Sequence, residues 1–477
     1  MHRCNTHHMK KERFFEAAGL TGDTWLPVSQ LPDTEGLVKH RGYATLPELA
    51  GYEDAIAKAA VRAVMNSRAK ASDTEINRLI RQYEAENGCR LHEHQAAGVR
   101  MIVNNNLCIL TGGPGTGKTT TIRCAVFCCQ KLCGGKVMFA APTGKASRQI
   151  TRSTGMEAST LHHLLGKGFD SEGSYSTFTG DILFVDESSM NDLELSYCLF
   201  CSVSERRKLV WIGDVDQIPS VGIGAVLRDL INSKVIPCTM LTKTFRQSEG
   251  ELLHNIKAVR VGSTEFWQGN QFRKDILPMD ISWDLLDEMI VSTYLKEADF
   301  FGRENVAVLL PYRQKGYCSD RVNALLQARV NGSSLGVRYN DSIFRIGDPV
   351  MQMQNTEDVV NGEVGKVVKV AGGGVLVAYG QKKFKMYTRS NLDQLSLAYA
   401  MSITKSQGSE YASVILVQLD SHLNALNRNI LYTGMSRAKQ KCTLFTQERA
   451  LKLSAEATAS ERKTFLTEKI RAVAGWD

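Results

Sequence analysis

The 477-residue chain has no apolar run of the roughly 18–20 residues that a membrane-crossing helix needs. Its first eleven residues are polar and basic and lack the apolar stretch of a secretory leader. Twelve cysteines are too few for a disulfide scaffold, so reduced thiols in a cytoplasmic setting are expected. Charge of one sign does not dominate. The 58 Lys and Arg against 50 Asp and Glu leave +8, which permits a polyanionic partner without requiring one. Long low-complexity tracts and solenoid repeats are absent. What remains, 43% hydrophobic and 23% charged residues, is the balance of a folded globular chain. At roughly 100–200 residues per domain, two to four domains are expected.

Two cysteine and histidine groups bear on metal chemistry. Cys124, Cys128, Cys129 and Cys133 fall on one helical stretch and point to two faces, so core packing is expected rather than a tetrahedral zinc centre. His2, Cys4, His7 and His8 sit in what reads as a solvated tail, with a weakly held metal as the other reading.

A pattern recurs along the chain: a short apolar run, a polar or glycine-rich turn, then a helical stretch. Residues 107–111, 136–141, 182–186 and 209–213 are such runs, and 306–310, 413–419 and 441–445 are a second set. Near-continuous hydrophobicity is the mark of strands buried on both faces. The fold class expected is α/β, with two parallel-sheet domains at 89–243 and 244–477. The region 1–88 reads as mainly helical, with helices at 52–70 and 74–86 and Asp73 as a cap of the second. From 341 to 393 the period changes to alternation punctuated by Gly347, Gly362, Gly365 and Gly372 to Gly374. Strands at 364–370, 375–379 and 383–388 are expected there, as a small β insertion. The segment 454–473 reads as a charged helix on or near the second domain.

The chemically informative residues follow the first set of runs, as the carboxyl-end rule of open α/β sheets requires. Gly112-Gly-Pro-Gly-Thr-Gly-Lys-Thr-Thr120 fits G-x-x-x-x-G-K-[ST] between a strand and a helix. Gly113, Pro114, Gly115, Thr116 and Gly117 would turn backbone N–H groups toward the phosphates of ATP, at the positive end of the helix that carries Thr120. Lys118 would reach the β- and γ-phosphates, and the Thr119 hydroxyl would hold Mg2+. The run 182–185 ends in Asp186 and Glu187: one carboxylate for Mg2+, the other to polarise the attacking water. The run 209–213 leads to Gln217, whose amide can sense the γ-phosphate. Hydrolysis also needs a cation for the developing charge. Arg246 and Arg437 are candidates, although a lone arginine is more often a surface ion pair.

Taken together, these motifs resemble a superfamily-1 helicase of the RecD-like branch, from about residue 42 to residue 441. Leu91-His-Glu-His-Gln95 resembles the element whose glutamine reads adenine. Ala141-Pro-Thr-Gly-Lys-Ala146 and Ser159-Thr-Leu-His-His-Leu-Leu165 resemble the strand-gripping motifs. Gly213-Asp-Val-Asp-Gln-Ile-Pro-Ser-Val-Gly222 is characteristic of the branch. In Thr244-Phe-Arg-Gln-Ser248 the resemblance implies that Phe245 packs on adenine and Arg246 touches the γ-phosphate. In Ser402-Ile-Thr-Lys-Ser-Gln-Gly-Ser-Glu410 it implies that Glu410 accepts from the ribose and that Thr404 and Lys405 face DNA. Residues 431–439 resemble the sixth motif, with Arg437.

The resemblance implies two RecA-like P-loop domains, ATP hydrolysis in the cleft between them, and 5′→3′ movement along single-stranded DNA in repair, recombination or replication. It makes the 341–393 insertion a small β-barrel that contacts the strand. The helix–hairpin–helix repeats of longer members have no counterpart in the forty residues before the match. The strand-splitting hairpin would have to fit into 166–180, as a short hairpin or a plain loop.

A motor indifferent to sequence should hold backbone and stack bases. Thr143, Lys145, His162, His163, Thr404 and Lys405 are suited to phosphate or sugar contact; one of the two histidines is alternatively a packed, hydrogen-bonded residue. Phe169, Tyr175 and Phe178 are candidates for stacking on bases or for a hairpin core. The partners expected are single-stranded DNA and single/double-strand junctions, no membrane, and protein partners left open. Two other functions stay open: an ATP-regulated DNA-binding subunit that unwinds nothing itself, and an RNA helicase, since backbone grips do not reveal the sugar.

Overall fold

The structure, a computed structural model, describes all residues except 1, 68, 167–176, 246–249, 334, 357, 381–382, 459–460 and 477; of 2–10 and 13 it describes the backbone alone. The chain divides into two compact units. One comprises Met1–Pro142, Ala146–Arg246 and Ser460–Asp477, and the other Thr143–Lys145 and Gln247–Ala459.

The first unit is built on a six-stranded, all-parallel sheet. Its order is Ala158–Thr160, Val137–Ala141, Ile182–Val185, Lys208–Gly213, Leu107–Gly112, Cys238–Leu241. Successive side chains of a strand point to opposite faces. Leu107, Ile109, Leu183, Val185, Leu209 and Trp211 enter one core; Cys108, Leu110, Ile182, Phe184, Val210 and Ile212 enter the other. Two buried faces are why these strands read as unbroken apolar runs. The flanking strands Ala158–Thr160 and Cys238–Leu241 are only partly buried and give no such run. Cys124, Cys128 and Cys129 pack into the second of these cores, from the helix Lys118–Cys133.

The N-terminal region clusters with this unit rather than standing apart. Its helices run Pro47–Met65 and Asp73–Asn87. Pro47 occupies the first helical position, where its missing N–H costs nothing. Asp73 is not the cap: Ser72 is, its side chain accepting the Glu75 N–H. A three-stranded antiparallel sheet, Leu26–Pro27, Tyr43–Thr45 and Val38–His40, was not expected, because strands of two or three residues carry no periodicity. The backbone of His2–Thr21 is helical where a tail was expected; the side chains of His2, Cys4, His7 and His8 lie outside the described residues.

The C-terminus also departs from expectation. Glu448–Glu456 belongs to the second unit, but the helix Leu466–Ala474 belongs to the first. Leu466 and Ile470 enter the same core as Leu49, Ile56 and Ala60 of Pro47–Met65. Amphipathic spacing says that a helix has an apolar face; it does not say which core receives it.

The second unit holds a five-stranded parallel sheet, ordered Phe272–Ile276, Ala438–Thr446, Tyr411–Gln418, Val306–Leu310, Ala400–Ser402. The insertion is antiparallel, ordered Phe384–Tyr387, Gly374–Ala378, Val364–Ala371, Pro349–Gln352, Leu395–Leu397, beside a hairpin of Gly336–Tyr339 and Ser342–Arg345. Val364–Ala371, Gly374–Ala378 and Phe384–Tyr387 are the strands expected, but the closed barrel is not seen. Closure requires the two edge strands to pair. Among the described residues, Phe384–Tyr387 and Leu395–Leu397 each pair on one side only. No helix among the described residues is long and apolar enough to cross a membrane.

Candidate functional site

The three central strands of the first sheet carry the three nucleotide motifs. Thr111 pairs with Gly213 and Val185 with Trp211, so Gly112, Asp186 and Asp214 leave the sheet along one edge. Parallel strands make this possible, because all their carboxyl ends point the same way.

The loop after Leu107–Gly112 turns through Gly115 (φ 72°) and Gly117 (φ 79°), conformations that disfavour a side chain. Gly117 is also the N-cap of Lys118–Cys133. Thr116 Oγ1 donates to the Gly113 carbonyl at 2.9 Å and pins the turn. Lys118 Nζ donates to the carbonyls of Gly112 (2.5 Å) and Gly113 (3.1 Å), which holds the ammonium over the loop. Thr119 and Thr120 follow in the first helical turn, half-buried.

Two distant segments flank this loop. Gln95 lies in the first turn of Glu93–Asn104 and is 4% exposed. Its Oε1 accepts the His92 N–H at 2.9 Å, and its Nε2 donates to the Gly117 carbonyl at 3.3 Å. Phe245 donates its N–H to the Gly115 carbonyl at 2.8 Å. Its half-exposed ring stands edge-on to His92, with centroids 6.2 Å apart, and Lys243 Nζ is 5.8 Å from the ring. The structure therefore brings Gln95, Gly117 and Phe245 together. His92, inside the Leu91–Gln95 element, has no role of its own in the motif reading, because its ring contact comes from a residue about 150 positions on; Lys243 stands only two residues before the Phe245 that it neighbours.

Burial pushes the Asp186 carboxyl above the usual carboxylate range; the Glu187 N–H, which donates to Asp186 Oδ1 at 2.8 Å, and the Lys118 charge pull it back. Lys118 and Asp186 are thus electrostatic neighbours. Glu187 has φ 51°, a left-handed conformation that costs a non-glycine residue about 1–2 kcal/mol. Such strain is retained where the surroundings impose it, often at functional sites. Gln217 is 6% exposed in the loop after Lys208–Gly213, its N–H donating to the Asp214 carbonyl at 3.3 Å.

The remaining candidates are placed as follows. Arg246 lies outside the described residues, as do Phe169, Tyr175 and most of 166–180. Phe178 is buried in the first unit's core, so it is not a free stacking ring. His162 and His163 are both exposed on Leu161–Leu164, so neither is the packed histidine. Thr143 and Lys145 flank the start of Gly144–Thr154. In the second unit, Arg437 is 4% exposed, and its guanidinium donates to the Thr433 and Ser409 carbonyls and to Ser436 Oγ. Glu410 pairs with Lys439 at 2.9 Å. Thr404 opens the turn Thr404–Ser406. Lys405 Nζ donates to Asn361 Oδ1 at 2.9 Å; burial, and then the Arg313 charge, hold its pKa below the usual lysine value.

Comparison with known proteins gives two family matches: an AAA domain over residues 90–274 and a UvrD-like helicase C-terminal domain over 397–445. The ATP-dependent RecD2 DNA helicase of Deinococcus radiodurans is 31% identical over 387 residues, 80% of this chain and 53% of that one. The RecBCD enzyme subunit RecD of Mycolicibacterium smegmatis is 30% identical over 428 residues, 80% of this chain and 75% of that one. The chain thus spans about half the length of the first relative and three quarters of the second. Among solved structures, a Pif1 helicase described at forked double-stranded DNA aligns with a TM-score of 0.48 at 19% identity, over 81% of this chain and 97% of that one.

Proposed function

The chain belongs to the RecD-like helicases of superfamily 1, and on that premise we propose that it is an ATP-driven motor that moves 5′→3′ on single-stranded DNA and opens duplex ahead of it. The observation that carries this reading is the convergence on one sheet edge of the Gly112–Thr120 motif, Asp186 with Glu187, and Gln217, flanked by Gln95 and Phe245.

Each group has a task in this reading. Gln95 and Phe245 receive the adenine, by hydrogen bond and by ring contact. The 113–117 turn and the N-terminus of Lys118–Cys133 hold the phosphates, and Lys118 leaves its carbonyl partners for the β- and γ-phosphate oxygens. Glu187 takes the proton of the attacking water, and Gln217 senses the γ-phosphate. Arg246 and Arg437 supply positive charge to the transition state, and Glu410 accepts from the ribose. Mg2+ fits the donor set of Thr119 hydroxyl and Asp186 carboxylate, since that ion usually takes one or two carboxylates with water and phosphate oxygens, and it would neutralise phosphate charge. Thr143, Lys145, His162, His163, Thr404 and Lys405 hold the strand by its backbone. Such a protein works where DNA is, in the cytoplasmic compartment, in repair, recombination or replication.

Strand displacement on duplexes with a 5′ tail, a 3′ tail or blunt ends tests the proposal, with Lys118→Ala as control. Unwinding of the 5′-tailed duplex alone is expected; preference for the 3′ tail would refute the polarity. A second reading has its own support, because the M. smegmatis relative is named as a subunit of a larger enzyme and is matched over 75% of its length. ATP hydrolysis stimulated by single strands without unwinding would favour that reading.

A further inference from the structure

The loop that follows Gln217 is held by a residue from the far end of the chain. Arg462 Nη1 lies 3.0 Å from Ser220 Oγ and 2.7 Å from the carbonyl oxygens of both Gly222 and Gly224. Its Nη2 lies 2.5 Å from the Ser220 carbonyl. One guanidinium therefore gathers three carbonyls and a hydroxyl of a five-residue turn, the planar fork for which lysine is a poor substitute. The rest of the turn is equally close-fitted. A Cβ on Gly222 would stand 2.3 Å from Asp192 Oδ2, and Gly224 donates its N–H to the Gly22 carbonyl at 2.8 Å. A Cβ on Gly22 would in turn stand 2.3 Å from the Arg462 guanidinium carbon.

The C-terminal helix Leu466–Ala474 has anchors besides Arg462: Leu466 and Ile470 in the core, and Lys469 paired with Glu53 (3.3 Å) and Asp54 (2.8 Å). The position of Arg462 in the chain is also distinctive. The second unit ends at Ala459, and Arg462 is anchored in the first unit only three residues on. Whatever moves Arg462 therefore moves the 220–224 turn that it grips. Gln217 lies three residues before that turn, with Pro219 between to stiffen the connection.

We propose that Arg462 is a positioning residue: it fixes the 220–224 turn, and thereby Gln217, so that ATP turnover answers to single-stranded DNA. The inference rests on the motor reading above and adds a residue to it that lies outside every recognised motif.

ATP turnover is measured with and without oligo-dT for the full chain, Arg462→Ala, Arg462→Lys and Lys469→Met. Arg462→Ala should lower the DNA-stimulated kcat about tenfold while the KM for ATP stays within about twofold, the size of an ordinary coupling between two sites. Basal turnover should fall less, and millimolar guanidinium ion should restore part of the stimulation. Arg462→Lys should lose stimulation in the same direction but by less, and it replaces Arg462→Ala if that variant does not fold. Lys469→Met loosens the same helix without touching the turn and should keep full stimulation. Unchanged stimulation in the Arg462 variants, or equal loss in Lys469→Met, overturns the proposal and leaves the motor reading intact. Absence of stimulation in the unaltered chain overturns the motor reading, and this inference with it.

Discussion

Gln95 and Gly117 are locked to one another. Gln95 Nε2 donates to the Gly117 carbonyl at 3.3 Å, and a Cβ on Gly117 would stand 2.2 Å from that same nitrogen. The glycine is thus required twice, for its φ of 79° and for the space that Gln95 occupies. Gly117→Ala should raise the KM for ATP by about tenfold or more, since the left-handed alanine alone costs about 1–2 kcal/mol before Gln95 is displaced. Gln95→Ala removes the obstruction, so the double variant should recover part of the loss if the steric account holds. Nucleotide titration of the three variants decides it.

Glu187→Gln should slow ATP hydrolysis about a hundredfold or more, the usual contribution of a general base. Binding of ATP and of single-stranded DNA should persist, because the amide keeps the shape of the carboxylate. Single-turnover kinetics beside equilibrium binding make the distinction. Normal turnover by this variant would remove Glu187 from the mechanism.

Asp348 is a test of the insertion's footing. Fully buried, it accepts from Gln327 Nε2, Asn331 Nδ2, the Arg345 N–H and the Tyr399 hydroxyl. Asp348→Ala takes an acceptor from all four; Gln327 Nε2 and Asn331 Nδ2 keep the Ile343 and Ile346 carbonyls, and a buried donor left unpaired costs about 1–3 kcal/mol when nothing relaxes. A loss of about 3 kcal/mol in urea unfolding is expected, less than the sum because the side chains can turn. Asp348→Asn should cost less, as one oxygen remains.

His422 predicts a pH dependence. It is fully buried; Nδ1 accepts the Leu419 N–H at 3.1 Å, and Nε2 faces the Tyr317 carbonyl at 2.6 Å. The ring is therefore neutral with its proton on Nε2. Burial holds its pKa below the ordinary 6.5, with the Tyr317 carbonyl opposing. As pH falls below that ordinary value, the unfolded chain takes up a proton that the folded chain refuses, so stability declines until the folded pKa is passed and is level below it. Urea midpoints between pH 7.5 and pH 5, approximate bounds of that window, should fall more for the unaltered chain than for His422→Gln.

Much of the site was legible in the order of residues. The Gly112–Thr120 turn needs glycine where φ is positive and lysine where phosphate charge gathers, so its chemistry is written locally. The central strands were legible because burial on both faces leaves no polar position in the run. The edge strands Ala158–Thr160 and Cys238–Leu241 were not, since half-exposed strands of three or four residues resemble loops.

Sequence alone marked the candidate nucleotide residues and the long apolar segments that became central strands, because both depend on neighbours along the chain. Tertiary structure alone decided that His92 stands beside Phe245, that the insertion leaves its edges apart, and that Leu466–Ala474 packs in the first unit. It alone set Arg462 on the 220–224 turn, some 240 residues away. An arginine carries no address. Its partners are backbone carbonyls, which every residue has, and only the fold decides which of them converge.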